Sequence, residues 1–271
     1  MIRIGTSGFS YDDWKGRFYP ARTRREEMLS FYARSFVTVE INTTFYRIPG
    51  PGLLADLARR TPAGFDFVVK VHQSLTHTPE PDPEAFGAVR AAVAPLAEAG
   101  KLGALLAQFP HSFRRSRAAE LRLAELRREF PVGPLVVEFR HAGWAQERTF
   151  ALLRDLDIGF CCVDEPALDG LMPPVARATA DIGYVRFHGR NAAKWFNHDQ
   201  AHERYEYHYS PAELSEWVDP VLRLETETER TYALFNNHYL GNAAENARDL
   251  ARLLGQILPD PEPLQPTLDL E

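Results

Sequence analysis

Eight short runs of apolar residues recur along the chain, and the stretches between them return to apolar residues every three or four positions. The runs are Ile2–Gly5, Val37–Ile41, Phe67–Val71, Leu102–Gln108, Leu135–Phe139, Ile158–Val163, Ile182–Phe187 and Thr231–Phe235. Most are nearly continuous in apolar side chains, the pattern of parallel strands covered on both faces. Between them, Arg24–Phe36 carries Met28, Leu29, Tyr32 and Phe36 on one side. Arg117–Phe130 sets alternating arginine and glutamate around Leu121, Leu123 and Leu126. Alanine-rich Pro83–Ala99 predicts a helix interrupted at Pro95, whose ring and missing N–H disfavour a helix interior. Glu147–Leu156 is a shorter helix. Ser210-Pro211-Ala212-Glu213 combines a capping serine, proline at the first helical position and glutamate three residues after the cap. It starts a helix expected to run to about Leu224. Ala243–Leu258 is the last helix, ahead of a proline-rich stretch, Pro259–Pro266.

Strand–helix alternation repeated eight times predicts an α/β fold of the TIM type, a (β/α)8 barrel, over residues 1–258, with a peripheral tail at 259–271. The sixth unit breaks the pattern. Between Asp164 and Asp181, Pro166, Pro173 and Pro174 stand where a helix would be, so the barrel is expected to be irregular there. Two connections are long and aromatic. Gly8–Thr23 holds Phe9, Tyr11, Trp14, Phe18 and Tyr19, and Gly189–Tyr209 holds Trp195, Phe196, Tyr205, Tyr207 and Tyr209. Both leave the carboxyl end of a strand, the face that carries active sites in this architecture. They read either as binding walls or lids, or as loops packed down by their own rings.

Composition changes this picture in a few places. Net charge is −6, which argues against a protein that coats nucleic acid with its whole surface but leaves room for a local basic cleft. Cys161 and Cys162 are adjacent, so they read as buried strand positions rather than a disulfide framework or zinc site. That usage fits a reducing cytoplasm. The opening Met1-Ile2-Arg3-Ile4-Gly5 reads as a strand rather than a signal peptide, and no apolar run is long enough to span a membrane. No dinucleotide or P-loop glycine pattern occurs. Oligomeric state is left open.

Candidate chemistry collects where the strands end. Strand two ends with Glu40, Asn42 and Thr44 expected on one face by the two-residue period. Lys70 and His72 follow strand three, Gln108 ends strand four, and Glu138 and Arg140 end strand five. Asp164 ends strand six, Arg186, His188 and Arg190 alternate at strand seven, and Asn236, Asn237 and His238 follow strand eight. Taken singly, Glu40 with Lys70, or Glu138 with Arg140 or Arg186, reads as a paired charge closing the barrel. As a set they suggest a site. Lys70, Arg140, Arg186 and Arg190 suit a phosphate or carboxylate. Asn42, Gln108, Asn236 and Asn237 suit sugar hydroxyls or base edges, and Glu40 and Glu138 suit acid/base work with His188 assisting. Ser7, in Gly5-Thr6-Ser7-Gly8, reads as an anion cradle of backbone N–H groups or a plain turn. No cofactor is expected. A divalent metal on Glu138, Asp164 and His188 is the alternative, opposed by the nearby arginines. His198, His202 and His208 read as solvent-facing.

The ordered blocks resemble the YecE-like family of TIM-barrel proteins of unknown function. They are Gly5-Thr6-Ser7-Gly8-Phe9-Ser10-Tyr11 with Trp14; Glu40-Ile41-Asn42-Thr43-Thr44-Phe45-Tyr46; Gln108-Phe109-Pro110; Glu138-Phe139-Arg140 with Trp144; Arg186-Phe187-His188-Gly189; and Phe235-Asn236-Asn237 with Gly241-Asn242-Ala243. The resemblance spans nearly the whole chain and implies the barrel and the face of the site, but no reaction. The residues lead to an enzyme acting on a phosphate-bearing sugar or nucleic-acid substrate, either hydrolase-like or sugar-isomerase-like. The runner-up is a non-catalytic nucleic-acid or nucleotide binder using the same pocket. A third reading is a barrel whose polar mouth consists of satisfied ion pairs.

Overall fold

Strands buried on both faces must be covered inside and outside, and closing the sheet on itself covers both faces with one chain. The computed structural model describes residues 1–131 and 133–259. Its strands are β1 Ile2–Ser7, β2 Thr38–Ile41, β3 Asp66–Lys70, β4 Leu102–Gln108, β5 Leu135–Glu138, β6 Gly159–Asp164, β7 Ile182–Phe187 and β8 Arg230–Phe235. Each pairs in parallel with its neighbour in the chain, and β1 pairs with β8 to close a (β/α)8 barrel. The expected strands all form, with ends displaced by no more than two residues.

The helices are α1 Met28–Ser35, α2 Thr43–Tyr46, α3 Pro51–Arg59, α4 Pro83–Glu98, α5 Arg117–Glu129, α6 Glu147–Asp155, α7 Pro211–Ser215, α8 Val218–Glu227 and α9 Asn242–Leu253. Several differ from the sequence expectation, among them α2, which was not anticipated, and α1, which starts at Met28 instead of Arg24. Helix α4 runs through Pro95, because the lost bond falls in its last turns while Phe86, Val89, Val93 and Leu96 hold the buried face. Helix α3 was not anticipated, although Pro51 sits at its first turn and Leu54, Leu57 and Ala58 form its buried side. The helix begun at Ser210 breaks after Ser215 and restarts at Val218. Pro220 has no N–H and its ring collides with the carbonyl four residues back, at Glu216. The final helix stops at Leu253, where Gly255 turns left-handed at φ +70°. The sixth unit is irregular as expected: residues 165–181 contain no helix. Beyond Pro259, the proline-rich tail lies outside the described residues.

The barrel interior is polar along much of its axis. At the amino ends of the strands, Asp66 takes Arg3 at 2.8 Å and the Tyr232 hydroxyl at 2.8 Å. Tyr184, whose ring lies 5.8 Å from that of Tyr232, donates to Glu40 at 2.8 Å one level higher. Strand register then places Ser7 beside Glu40 and Gln108 beside Glu138 at the carboxyl ends. Outside the barrel, Tyr32 on α1 joins two strands. Its hydroxyl accepts from the Thr6 N–H at 2.9 Å and donates to the Thr38 carbonyl at 3.0 Å. Tyr32→Phe leaves both backbone groups without that partner and is expected to cost about 1–3 kcal/mol. Urea unfolding checks this; a midpoint unchanged from wild type would remove Tyr32 as a clamp.

Candidate functional site

The centre of the mouth is one guanidinium. Arg186 on β7 faces inward and is 1% exposed. Its Nη2 lies 2.6 Å from Glu40 Oε1 and its Nη1 2.5 Å from Glu138 Oε2, and Ser7 Oγ is 3.4 Å away. Glu138 also meets Arg140 Nε at 2.5 Å and His188 Nε2 at 3.2 Å, and Arg140 reaches on to Glu165 at 3.0 Å. Burial alone would raise the Glu138 carboxyl; Arg140, Arg186 and His188 override it and hold Glu138 well below the usual carboxylate range. It is a fixed anion. Arg140 and Arg186 are fixed cations, raised by the same pairs against their burial. Burial, with Arg140 next, pushes the His188 imidazole down to about 3 despite Glu138, so the ring is neutral. Asn236 Nδ2 faces His188 Nδ1 at 3.1 Å, on the side of the ring away from Glu138.

A cavity of about 250 Å³ opens above this network. Its lining includes Asn42, Phe45, Tyr46, Lys70, Arg140, Tyr205 and Asn236. Lys70 Nζ donates to Gln108 Oε1 at 2.8 Å and sits 4.1 Å over the Phe45 ring. Burial, then Arg186 and Arg140, push its amine down to about 7, against Glu138 and Glu40. Asn42 Oδ1 is buried and, among the described residues, has no hydrogen-bond partner. Glu165 was missed at the sequence level. It is buried, accepts from the Met172 N–H at 3.0 Å, and is pushed up to about 7 by burial despite Arg140. Counting by twos from Cys161, which faces Glu138 at 3.8 Å, would have put Val163 and Glu165 on the inner face.

The same parity removes other expected members. Asp164 faces out of the barrel. It accepts from Tyr209 at 2.6 Å, Trp217 at 2.6 Å and Arg190 at 2.6 Å, which also occupies Arg190. Glu138 and His188 are therefore brought together without Asp164. Among the described residues, no three His, Cys, Asp or Glu side chains group to hold a metal ion. Asn237 also points away, donating to Tyr207 O and Asn246 Oδ1 at 2.9 Å each, so it pins a loop. Thr44 leaves the expected strand face because α2 begins at Thr43; its hydroxyl donates to the Lys70 carbonyl at 2.6 Å. The Ser7 segment forms no anion cradle, because the Gly8 N–H goes to Glu40 O and the Thr6 N–H to Tyr32. Glu40 pairs with Arg186 rather than Lys70.

The rings of the two long loops pack them down and also line the cavity. Gly8 and Gly189 start them with left-handed φ of +86° and +90°, which glycine adopts without strain. Trp14, Tyr19, Trp195 and Tyr209 are buried and tie the loops down. Tyr11, stacked on His238 at 4.7 Å, and Tyr205 form cavity wall instead. His202 and His208 are exposed and His198 is half-buried. Both cysteines are free and buried. Among the described residues, no helix is long and apolar enough to cross a membrane.

Fold and mouth together define a TIM-type barrel with a charged, partly enclosed pocket at the carboxyl ends of its strands. The chain belongs to the DUF72 family: the model described as "Protein of unknown function DUF72" matches residues 3–267. It is 30% identical to the UPF0759 protein YunF of Bacillus subtilis, covering 94% of this chain and 95% of that protein. A DUF72 family crystal structure from Thermotoga maritima is 39% identical with a TM-score of 0.88, covering 94% of this chain and 100% of that one. One from Enterococcus faecalis is 30% identical with a TM-score of 0.85, covering 98% and 99%.

Two outcomes follow for stability. Arg186→Met leaves two buried carboxylates facing each other and is expected to cost about 3–5 kcal/mol in urea unfolding; a loss below 1 kcal/mol would mean that the network does not hold the mouth. Acid sensitivity should carry the mark of His188. In the unfolded chain its imidazole takes a proton near pH 6.5, whereas in the folded protein it stays neutral to about 3. The His188 contribution to stability therefore falls as pH drops from 6.5 toward 3, by up to about 1.4 kcal/mol per pH unit, while the raised carboxyl of Glu165 contributes in the opposite sense between about 7 and 4.5. His77, pushed down to about 4 by burial, adds to the same slope. His188→Gln should flatten it, and an unchanged slope in unfolding measured across pH 4–7 would contradict this account.

Proposed function

We propose that the protein is an enzyme acting on a phosphate-bearing sugar or nucleotide unit held in the mouth cavity. One observation carries the reading: the charges at the cavity floor are matched, and the Lys70 amine is not. Arg186 and Glu40 face each other, and Glu138 is shared by Arg186 and Arg140. Lys70 has an amide and a ring as partners but no carboxylate among the described residues. An ammonium has three donors, so Lys70 keeps two for an incoming oxyanion. Asn42 Oδ1 offers an unused acceptor to a hydroxyl. Tyr11, Phe45, Tyr46 and Tyr205 supply ring faces for a sugar or base. At roughly 30 Å³ per water, the cavity has the bulk of about eight waters, enough for one phosphosugar unit but not a duplex.

In this reading Lys70 and Arg140 take the anion, while Arg186 is spent on its carboxylates. Proton transfer passes from Glu138 and His188, each fixed in one state near neutrality, to Lys70 and Glu165, which both titrate near 7. Glu40 and Glu138 set the field. One observation favours single-stranded nucleic acid as a second reading: Tyr46 and Phe196 are 73% and 63% exposed, as stacking platforms are. Calorimetric titration with inorganic phosphate and ribose 5-phosphate tests the first reading. Lys70→Met should weaken binding at least tenfold; equal affinity in wild type, Lys70→Met and Asn42→Ala would sink it. For oligonucleotides, affinity that does not change with salt would argue against phosphate contacts.

A further inference from the structure

Only four lysines occur among 31 basic side chains: Lys15, Lys70, Lys101 and Lys194. Three have ordinary partners. Lys15 pairs with Asp12 at 2.8 Å and Lys194 with Glu203 at 2.7 Å. Lys101 donates to Ala58 O, Thr61 O and Thr61 Oγ1 at 2.7–2.9 Å. Lys70 differs from all three. Its amine opens into the cavity, with Phe45 under it and Gln108 as its sole hydrogen-bond partner among the described residues. The charges that act on it come from several elements: Arg186 on β7, Glu138 on β5, Arg140 after it and Glu40 on β2. His77, itself pushed down by Lys70 after burial, stands 4.9 Å from the Phe45 ring. Guanidinium binds anions better than an amine and does not lose its proton. An amine is required when its lone pair is used.

We propose that Lys70 is a nucleophile that condenses with the carbonyl carbon of an open-chain sugar phosphate. This rests on the reading of the mouth as a phosphosugar site: Lys70 meets the incoming anion as the ammonium, and once the phosphate rests on Arg140 the deprotonated amine is free to reach the carbonyl. The neutral amine adds to the carbonyl carbon, forming a C–N bond while the carbonyl oxygen takes the nitrogen's proton. The carbinolamine then loses its hydroxyl with the second nitrogen proton as water, leaving C=N. Protonated from solvent, the imine draws electrons from the adjacent C–H or C–C bond. No oxidant or reductant enters. At pH 7 an amine titrating near 7 is about half neutral, against roughly one part in 2,500 for an ordinary lysine.

Pyridoxal 5′-phosphate, which carries an aldehyde and a phosphate, tests the amine directly. Wild-type protein is mixed with one equivalent at pH 7, the imine absorbance is followed, and borohydride reduction precedes peptide mapping. A second arm uses ribose 5-phosphate with cyanoborohydride. The expected result is one adduct per chain on Lys70 from either probe, with ribose 5-phosphate suppressing pyridoxal labelling. The imine rate should rise between pH 6 and 8 and then level off. Lys70→Arg should show none of this, while Lys194→Arg labels as wild type. Adducts spread over Lys15, Lys101 and Lys194, or none from ribose 5-phosphate, overturn the proposal. If ribose 5-phosphate still binds by calorimetry in that case, the anion site survives and only the nucleophile falls. If it neither binds nor labels, both fall.

Discussion

A guanidinium at the centre of a closed barrel has no water to turn to, so its charge must be met where it sits. Arg186 is met by Glu40 from one side and Glu138 from the other. Removing two carboxylates and a guanidinium from water costs several kcal/mol per ion, recovered only with close geometry and further hydrogen bonds. Tyr184 supplies a hydrogen bond to Glu40, and Arg140 and His188 bring close ionic and polar contacts to Glu138. Strand parity fixes the arrangement, because Glu40, Glu138 and Arg186 all project inward from neighbouring levels of the barrel. Shift any of the three strands by one residue and its charge would face the helices.

The same network sets the chemistry above it. With Glu138 shared between two arginines and His188 held neutral, neither changes its protonation near pH 7. Burial does most to push the Lys70 amine down, and the two cations that hold Glu138 add to it. Glu165 is displaced in the opposite sense by the same loss of water. Burial beside one ion cluster therefore leaves two groups of opposite type displaced toward neutrality at its edge.

Much of this was legible in the sequence, and the losses have physical reasons. The strands could be read because parallel strands are apolar on both faces, and the weak sixth unit because prolines at 166, 173 and 174 cannot support a helix. Glu40, Lys70, Glu138, Arg140 and Arg186 were found because charge at the end of a buried strand is costly. Their pairing was not, since which carboxylate meets which cation depends on barrel closure between β2, β5 and β7. Asp164 and Asn237 looked like members because they stand at strand ends. They face outward and pin loops, with Asp164 held by Tyr209 and Trp217, which lie 45 and 53 residues further along the chain. Glu165 was overlooked because it lies one residue past the strand, although the two-residue period still governs its direction.

Lys70 shows where residue type says more than position. At the sequence level it was one of four cations with a common task. In the barrel Arg140, Arg186 and Arg190 have each taken carboxylates. Lys70 is the one of these four cations that meets no carboxylate among the described residues. Placed over Phe45 and beside the neutral amide of Gln108, the amine has surroundings that tolerate its charge without demanding it. A carboxylate in the place of Gln108 would have locked the proton on; a neutral acceptor lets it leave.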